Sequence, residues 1–147
     1  MIELTQDDFG KFSAYVYEQC GINLTAPKRI LLEGRLQKRL ISLNMNSFKE
    51  YYKHVTGPAG QGELVHMLDS VATNKTDFFR EPGHFDFIRN TVVPAFRQQR
   101  NQQALRIWSS ACSSGEEPYT TAMVLQEDIE KNGHLNYEIL ASDISTK

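Results

Sequence analysis

LRIWSSACSSGEEPY, residues 105–119, is the stretch whose reading decides the fold. Leu105 and Ile107 alternate with polar neighbours and Trp108 adds bulk, so the first third reads as a buried strand. From Ser109 to Gly115 every residue is small, which lets a backbone approach a ligand closely. Pro118 suits the first turn of a helix in which Ala122, Leu125 and Ile129 recur at helical spacing, and Gly133 is a natural stop. A second strand, Tyr137 to Ala141, then runs towards Asp143. Strand, turn, helix and strand form a βαβ unit. In dinucleotide-type halves of this kind, an acid at the end of the second strand, about 20 or more residues past the turn, holds a ribose diol. Gly115 alone is not G-x-G-x-x-G, and many α/β proteins carry this pattern without binding anything at the turn, so spacing leaves both readings open.

Composition sets the bounds. A chain of 147 residues with 40% hydrophobic content can bury a core but is short for two complete domains. A net charge of -2 points to no class of partner, so any electrostatic argument must be local. No apolar run is long enough to span a bilayer, and MIELTQDDFG lacks the basic start and apolar middle of a signal peptide, which predicts a cytoplasmic protein. Cys20 and Cys112 belong to no C-x-x-C pair, which argues against a metal site or a disulfide framework.

Upstream, four amphipathic helices are predicted. Thr5 to Asp8 fits a T-x-x-D cap with Leu4 and Phe9 placed as a hydrophobic staple; Phe9, Phe12, Val16 and Cys20 form the first stripe, and Gly21 ends it. A second helix from about Lys28 to Leu43 places Leu32, Leu36, Leu40 and Leu43 on one face. Beside that face Lys28, Arg35, Lys38 and Arg39 share a sector with no acid among them, a basic ridge that reads either as a solvated face or as a docking surface for something acidic. Ser47 to Glu50 is a capping box for a third helix with Phe48, Tyr51, Tyr52 and Val55 as a core stripe. The loop TGPAGQG precedes a fourth, marked by Leu64, Met67, Leu68 and Val71.

The segment ATNKTDFFREP, residues 72–82, crowds Asn74, Thr76, Asp77, Arg80 and Glu81 around Phe78 and Phe79, just before a helix carrying Phe85, Ile88 and Val92. Such density suggests a segment pinned by its phenylalanines that presents an amide, a hydroxyl and a guanidinium to one place; the bland reading is a capped linker. The planar fork of arginine matches a carboxylate bidentately.

TNKTDFFREPGHF, RIWSSACSSGEEPYTTAM and ILASDIST together closely resemble the CheR family of chemotaxis receptor methyltransferases, which move methyl groups from S-adenosylmethionine to receptor glutamates. GINL, the Lys28 to Leu43 helix and SFKEYY resemble that family's helical amino-terminal domain. The resemblance implies three parts: a helical receptor-docking domain over 1–72, a linker and connecting helix over 73–103, and the incomplete start of a Rossmann-like methyltransferase domain over 104–147. It implies that Asn74, Thr76 and Arg80 contact the cofactor, with Arg80 at its carboxylate and the best candidate near the reacting centre. It further implies that Ala111 to Gly115 runs under the cofactor, that Glu117 in preference to Glu116 meets its amino group or nearby polar atoms, and that Asp143 takes the ribose. The Lys28, Arg35, Lys38 and Arg39 ridge would hold the receptor. A glutamate carboxylate is already ionised at neutral pH and a sulfonium is a good leaving group, so neither a metal nor a general base is expected. The four histidines, His54, His66, His84 and His134, fall in no catalytic or ligating spacing.

The family's catalytic domain continues beyond the second strand, so the chain is expected to be a fragment that is inactive on its own. Its half-sheet, with Leu105, Ile107, Trp108, Ile139 and Leu140 uncovered, is expected to self-associate or to be loosely ordered. Two other readings remain: a non-catalytic module that recognises an acidic helix or an anionic nucleotide through the ridge, and a nicotinamide-dependent protein, which the missing turn glycines disfavour.

Overall fold

The computed structural model describes residues 2–99 and 103–146. These form two compact units, residues 2–73 together with Ile144–Thr146, and Asn74–Asp143. The first is all-helical and the second is α/β. No helix among the described residues is long and apolar enough to cross a membrane.

In the first unit α1 spans Gln6–Cys20, α2 Arg29–Ser42, α3 Phe48–Thr56 and α4 Gln61–Val71. The caps act as their sequence implies. Thr5 accepts from the Asp8 amide and Ser47 from the Glu50 amide, satisfying donors that a first helical turn leaves unpaired. Gly21 closes α1 in the left-handed region at φ 74°, where a side chain would be strained. Phe12 is the centre of the core: it stacks on Tyr51 at 6.0 Å and meets Phe48 and Tyr52 edge-on at 6.4 and 5.2 Å. Leu32, Leu36 and Leu40 of α2 complete the buried seam with Val16, Val55, Met67 and Val71.

The basic ridge changes character once α2 packs on α4. Arg39, expected without an acid to neutralise it, makes a bidentate pair with buried Glu63, Nε to Oε1 at 2.8 Å and Nη2 to Oε2 at 2.6 Å. The fully buried Tyr51 donates its hydroxyl to the same carboxylate at 2.7 Å. Arg35 is also engaged internally, donating to the Val71 and Ala72 carbonyls and the Thr73 hydroxyl, where a cation suits the end of α4. Of the four, Lys28 and Lys38 remain exposed, while Arg35 and Arg39 are half-buried. A further buried acid, Asp69, accepts from Ser145 Oγ at 2.9 Å and from Thr146 N and Oγ1 at 2.8 and 2.7 Å, which explains why Ile144–Thr146 belong to this unit.

The second unit opens with the loop from Asn74, then a helical run in three parts: α5 Pro82–Phe87, a π-helical turn Ile88–Val92, and α6 Val93–Gln98. Residues 74–99 are thus packed into the α/β unit. Pro94 follows the wide turn at a position where its missing N–H is tolerated, and Val93 bonds the Ile88 carbonyl five residues back. On an uninterrupted α-helix Phe85 and Val93 would stand about 80° apart; with one extra residue absorbed, both are buried.

Strands β1 Leu105–Ser109 and β2 Tyr137–Ala141 pair in parallel, Leu105 opposite Tyr137 and Trp108 opposite Leu140, joined by α7 Glu116–Asn132. Leu105, Leu125, Leu135 and Val93 form the core, with Ile107, Ile129 and Ile139 against it. Trp108, read as part of a buried strand, is 67% exposed and Leu140 opposite it 63% exposed. Period-two alternation turns these two outward, and the Trp108 indole donates to Ser142 Oγ at 3.0 Å. Arg97 binds buried Asp128 through Nε at 3.0 Å and Nη2 at 2.5 Å. It also donates to the Gly133 and His134 carbonyls at the end of α7.

Burial alone would raise the Glu63 pKa, but the Arg39 and Tyr51 hydrogen bonds outweigh it and hold it below the ordinary value of 4.5. Asp128 is likewise held low, Arg97 and Asn132 outweighing its burial. A depressed carboxylate stabilises the fold above its unfolded pKa and releases that stability as pH falls through the folded one. Denaturant unfolding should therefore show stability dropping below about pH 4.5. Glu63→Gln should cost about 3 kcal/mol at pH 7, the low end for breaking a buried pair because Arg39 keeps some solvent, and should flatten part of that acid slope. A variant as stable as the parent at pH 7, with the same acid profile, would show the pair to be dispensable.

Candidate functional site

The carboxyl ends of two parallel strands necessarily lie at one edge, and here the chain ties them together. Beyond the strands, Ser142 N donates to Ser109 O at 2.9 Å and Cys112 N to Ser142 O at 3.1 Å. The turn between β1 and α7 then folds over the end of β2, and the Ser113 amide donates to Asp143 Oδ2 at 2.7 Å. Gly115, at φ 107°, takes a conformation that glycine alone adopts without strain. A Cβ there would also press on the Tyr119 ring at 3.3 Å. Small side chains at Ala111, Ser113 and Ser114 leave this turn open to close approach.

Glu116 and Glu117 follow at the first turn of α7, where negative charge complements the helix dipole. Glu117 Oε1 accepts from the buried Ser109 hydroxyl at 2.6 Å, which orients this carboxylate on the turn. One edge of the unit thus carries two oriented carboxylates, Asp143 and Glu117, on either side of a turn of small residues.

The loop Asn74–Glu81 is fastened to the same βα element. Ser113 Oγ donates to the Asn74 carbonyl at 2.8 Å, and the Phe79 amide donates to Thr120 Oγ1 at 3.3 Å. Arg80 Nη1 donates to the Lys75 carbonyl at 2.5 Å, and the Arg80 amide to the Asp77 carbonyl at 3.3 Å, so the loop closes on itself as a turn. Thr76 lies half-buried within it. The phenylalanines do not do the pinning expected of them: Phe78 is 57% exposed, and Phe79, 46% exposed, touches Phe85 edge-on at 5.9 Å. Main-chain and hydroxyl hydrogen bonds hold the loop instead.

Left-handed backbone concentrates here. Among the described residues the non-glycine positions with positive φ are Asn44, Phe79, Glu81 and Ser113, and all but Asn44 fall in the two motifs that form this edge. For a bulky residue such as Phe79 that geometry is strained, and strain of this kind gathers at ligand sites. Sequence reasoning placed Ser109 and Ser113 in the small-residue turn without giving their side chains a role and passed over Thr120; their only signal was a hydroxyl within the motif. No three His, Cys, Asp or Glu side chains converge among the described residues.

Residues 7–72 match the family model described as CheR methyltransferase, all-alpha domain, and residues 74–147 match CheR methyltransferase, SAM binding domain. The chain is 40% identical over 148 aligned residues to the chemotaxis protein methyltransferase of Borreliella burgdorferi, covering 98% of this chain and 52% of that one. The chemotaxis protein methyltransferase 2 of Vibrio cholerae is 34% identical over 99% of this chain and 50% of its own. That of Escherichia coli is 34% identical over 99% and 49%. The chain thus spans about half the length of the curated relatives it matches. With an all-helical unit ahead of a parallel βαβ unit whose cofactor is S-adenosylmethionine, and with both family models matched in order, the chain belongs to the CheR methyltransferase family.

Proposed function

We propose that this chain supplies the docking surface and the first half of the cofactor site of an enzyme that methylates glutamate side chains of chemotaxis receptors to γ-methyl esters. The observation that carries this is the joined edge of the second unit, where the Asn74–Glu81 loop, the Ala111–Gly115 turn and Asp143 are tied by Ser113. The donor set fits the cofactor. An amino-acid carboxylate, an ammonium and a ribose diol would find Arg80, Glu117 and Asp143, with Asn74 and Thr76 beside the first. When bound, S-adenosylmethionine supplies an electrophilic methyl on a sulfonium. The protein's part is to hold and orient. Arg80 keeps a carboxylate in place, Glu117 and Asp143 accept hydrogen bonds, and the small-residue turn lets the main chain close around the ligand and exclude water.

Receptor docking is proposed for α2 in a narrower form than the sequence suggested. Lys28 and Lys38 project freely, with Leu31 and Ile41 exposed one turn on, so the face offers cations beside apolar surface to an acidic amphipathic helix. Arg35 and Arg39 support that face from within.

The chain alone is proposed to bind cofactor weakly and to turn over poorly. The described sheet has two strands, and Trp108 and Leu140 lie exposed on one face, which also favours self-association.

Titration of the chain with S-adenosylhomocysteine, followed by amide shifts so that weak binding is readable, tests the cofactor reading. Arg80→Ala should weaken binding by about 1.5 to 3 kcal/mol, the worth of a charge-assisted pair. Equal affinity in a folded variant would remove Arg80 from the site. Lys28→Glu with Lys38→Glu should weaken capture of a receptor cytoplasmic helix in a strongly salt-dependent way while leaving S-adenosylhomocysteine binding alone. Undiminished capture at low salt would make the lysines a solvated face.

A further inference from the structure

Thr120 belongs to none of the roles assigned above, yet it is fully buried, and both faces of its hydroxyl are used. Its Oγ1 donates to the Glu116 carbonyl one turn back at 2.6 Å. With the proton so directed, a lone pair is left for the Phe79 amide at 3.3 Å. Phe79 is the residue held at φ 56°, and Glu81, two residues on, has the same φ. A left-handed phenylalanine persists only where its surroundings over-determine it. The phenyl ring cannot supply that constraint, since it is nearly half exposed with Phe85 as its ring contact. The main-chain bond to Thr120 fixes Phe79 from outside the loop, beside the local turn bond from the Arg80 amide to the Asp77 carbonyl, and the chain so held passes directly into Arg80.

We propose that Thr120 is a positioning residue of the cofactor site: its buried hydroxyl holds Phe79 in the left-handed conformation and so sets the placing of Arg80. Ser113 holds the other end of the loop through the Asn74 carbonyl. The cofactor loop is therefore stretched between two hydroxyls of one βα element. Nothing in the sequence marks Thr120 as other than a helix residue, since threonine at such a place ordinarily bonds its own helix. The second acceptor role distinguishes it. Thr121, its neighbour, bonds the Glu117 carbonyl at 2.9 Å in the same back-bonded way and serves as an internal control.

The Arg80 part of this rests on the cofactor reading above; the loop-holding part does not. Site-resolved amide exchange on the 147-residue chain, without ligand, compares the parent with Thr120→Val, Thr120→Ser and Thr121→Val. Valine keeps the shape of threonine and lacks the hydroxyl. The Phe79 amide should exchange about tenfold faster in Thr120→Val, while amides of β1 and β2 keep their protection and Thr120→Ser restores the parent rate. Thr121→Val should leave the Phe79 amide as it is. An unchanged Phe79 amide in Thr120→Val, or equal loss of protection throughout the βαβ unit, overturns the proposal; in the second case Thr120 is a packing residue. A cycle with S-adenosylhomocysteine then reads the link to Arg80. Thr120→Val should weaken binding severalfold in the parent and add no further loss in Arg80→Ala. Additive losses would overturn action through Arg80. Absence of any binding by the parent would strike the cofactor reading, and the exchange result would still decide the role of Thr120.

Discussion

Parallel pairing of β1 with β2 is the constraint on which the site depends. Two parallel strands cannot be joined by a hairpin, so a crossover must carry the chain back, and both strands then finish at the same edge. Everything of chemical interest in the second unit follows from that edge. The turn leaving β1 and the carboxylate following β2 become neighbours without any sequence proximity, and one hydrogen bond, from the Ser113 amide to Asp143, fastens them. α7 begins where the turn ends, so its first residues bring two glutamates to the same place, and its second turn brings Thr120 under the upstream loop. It is at this edge that open α/β folds in general take their ligands.

Much of the helical unit was legible because its signals are local. The Thr5 and Ser47 caps, the left-handed Gly21 stop and the leucine seam of α2 each depend on residues within a few positions of one another, and helical periodicity reports them directly. The fate of the basic ridge was not legible. Glu63 lies 24 residues from Arg39, and nothing in either neighbourhood announces that α4 will lay a carboxylate on that guanidinium. A helical wheel counts charges on one helix; neutralisation is decided between helices.

The α/β unit divides in the same way. Strand ends and helix stops were readable from alternation and from Gly133, and Asp143 from its distance past the turn. Trp108 was misplaced because bulk was weighed above parity: alternation from Leu105 already sends it to the face opposite Ile107, and the structure follows parity. The left-handed Phe79 and Glu81 were invisible, since no propensity scale expects a phenylalanine there and the Phe79 amide finds its partner 41 residues away, at Thr120. Long, odd motifs carried the family resemblance, but how those motifs are held together is a property of hydroxyls that looked ordinary.

The π-helical turn at Ile88–Val92 gives the chain a spare residue. Elsewhere in these helices, losing one position would rotate every later side chain by about 100° and carry the apolar stripe off its core. Between Phe85 and Val93 the opposite holds. Removing one residue would leave the two buried side chains a helical repeat apart, on nearly the same face, with the wide turn closed. This run can therefore change length by one where its neighbours cannot. A family member with a shorter segment here would keep the same buried face, and an alignment gap at this point would mark a change of winding without a change of packing.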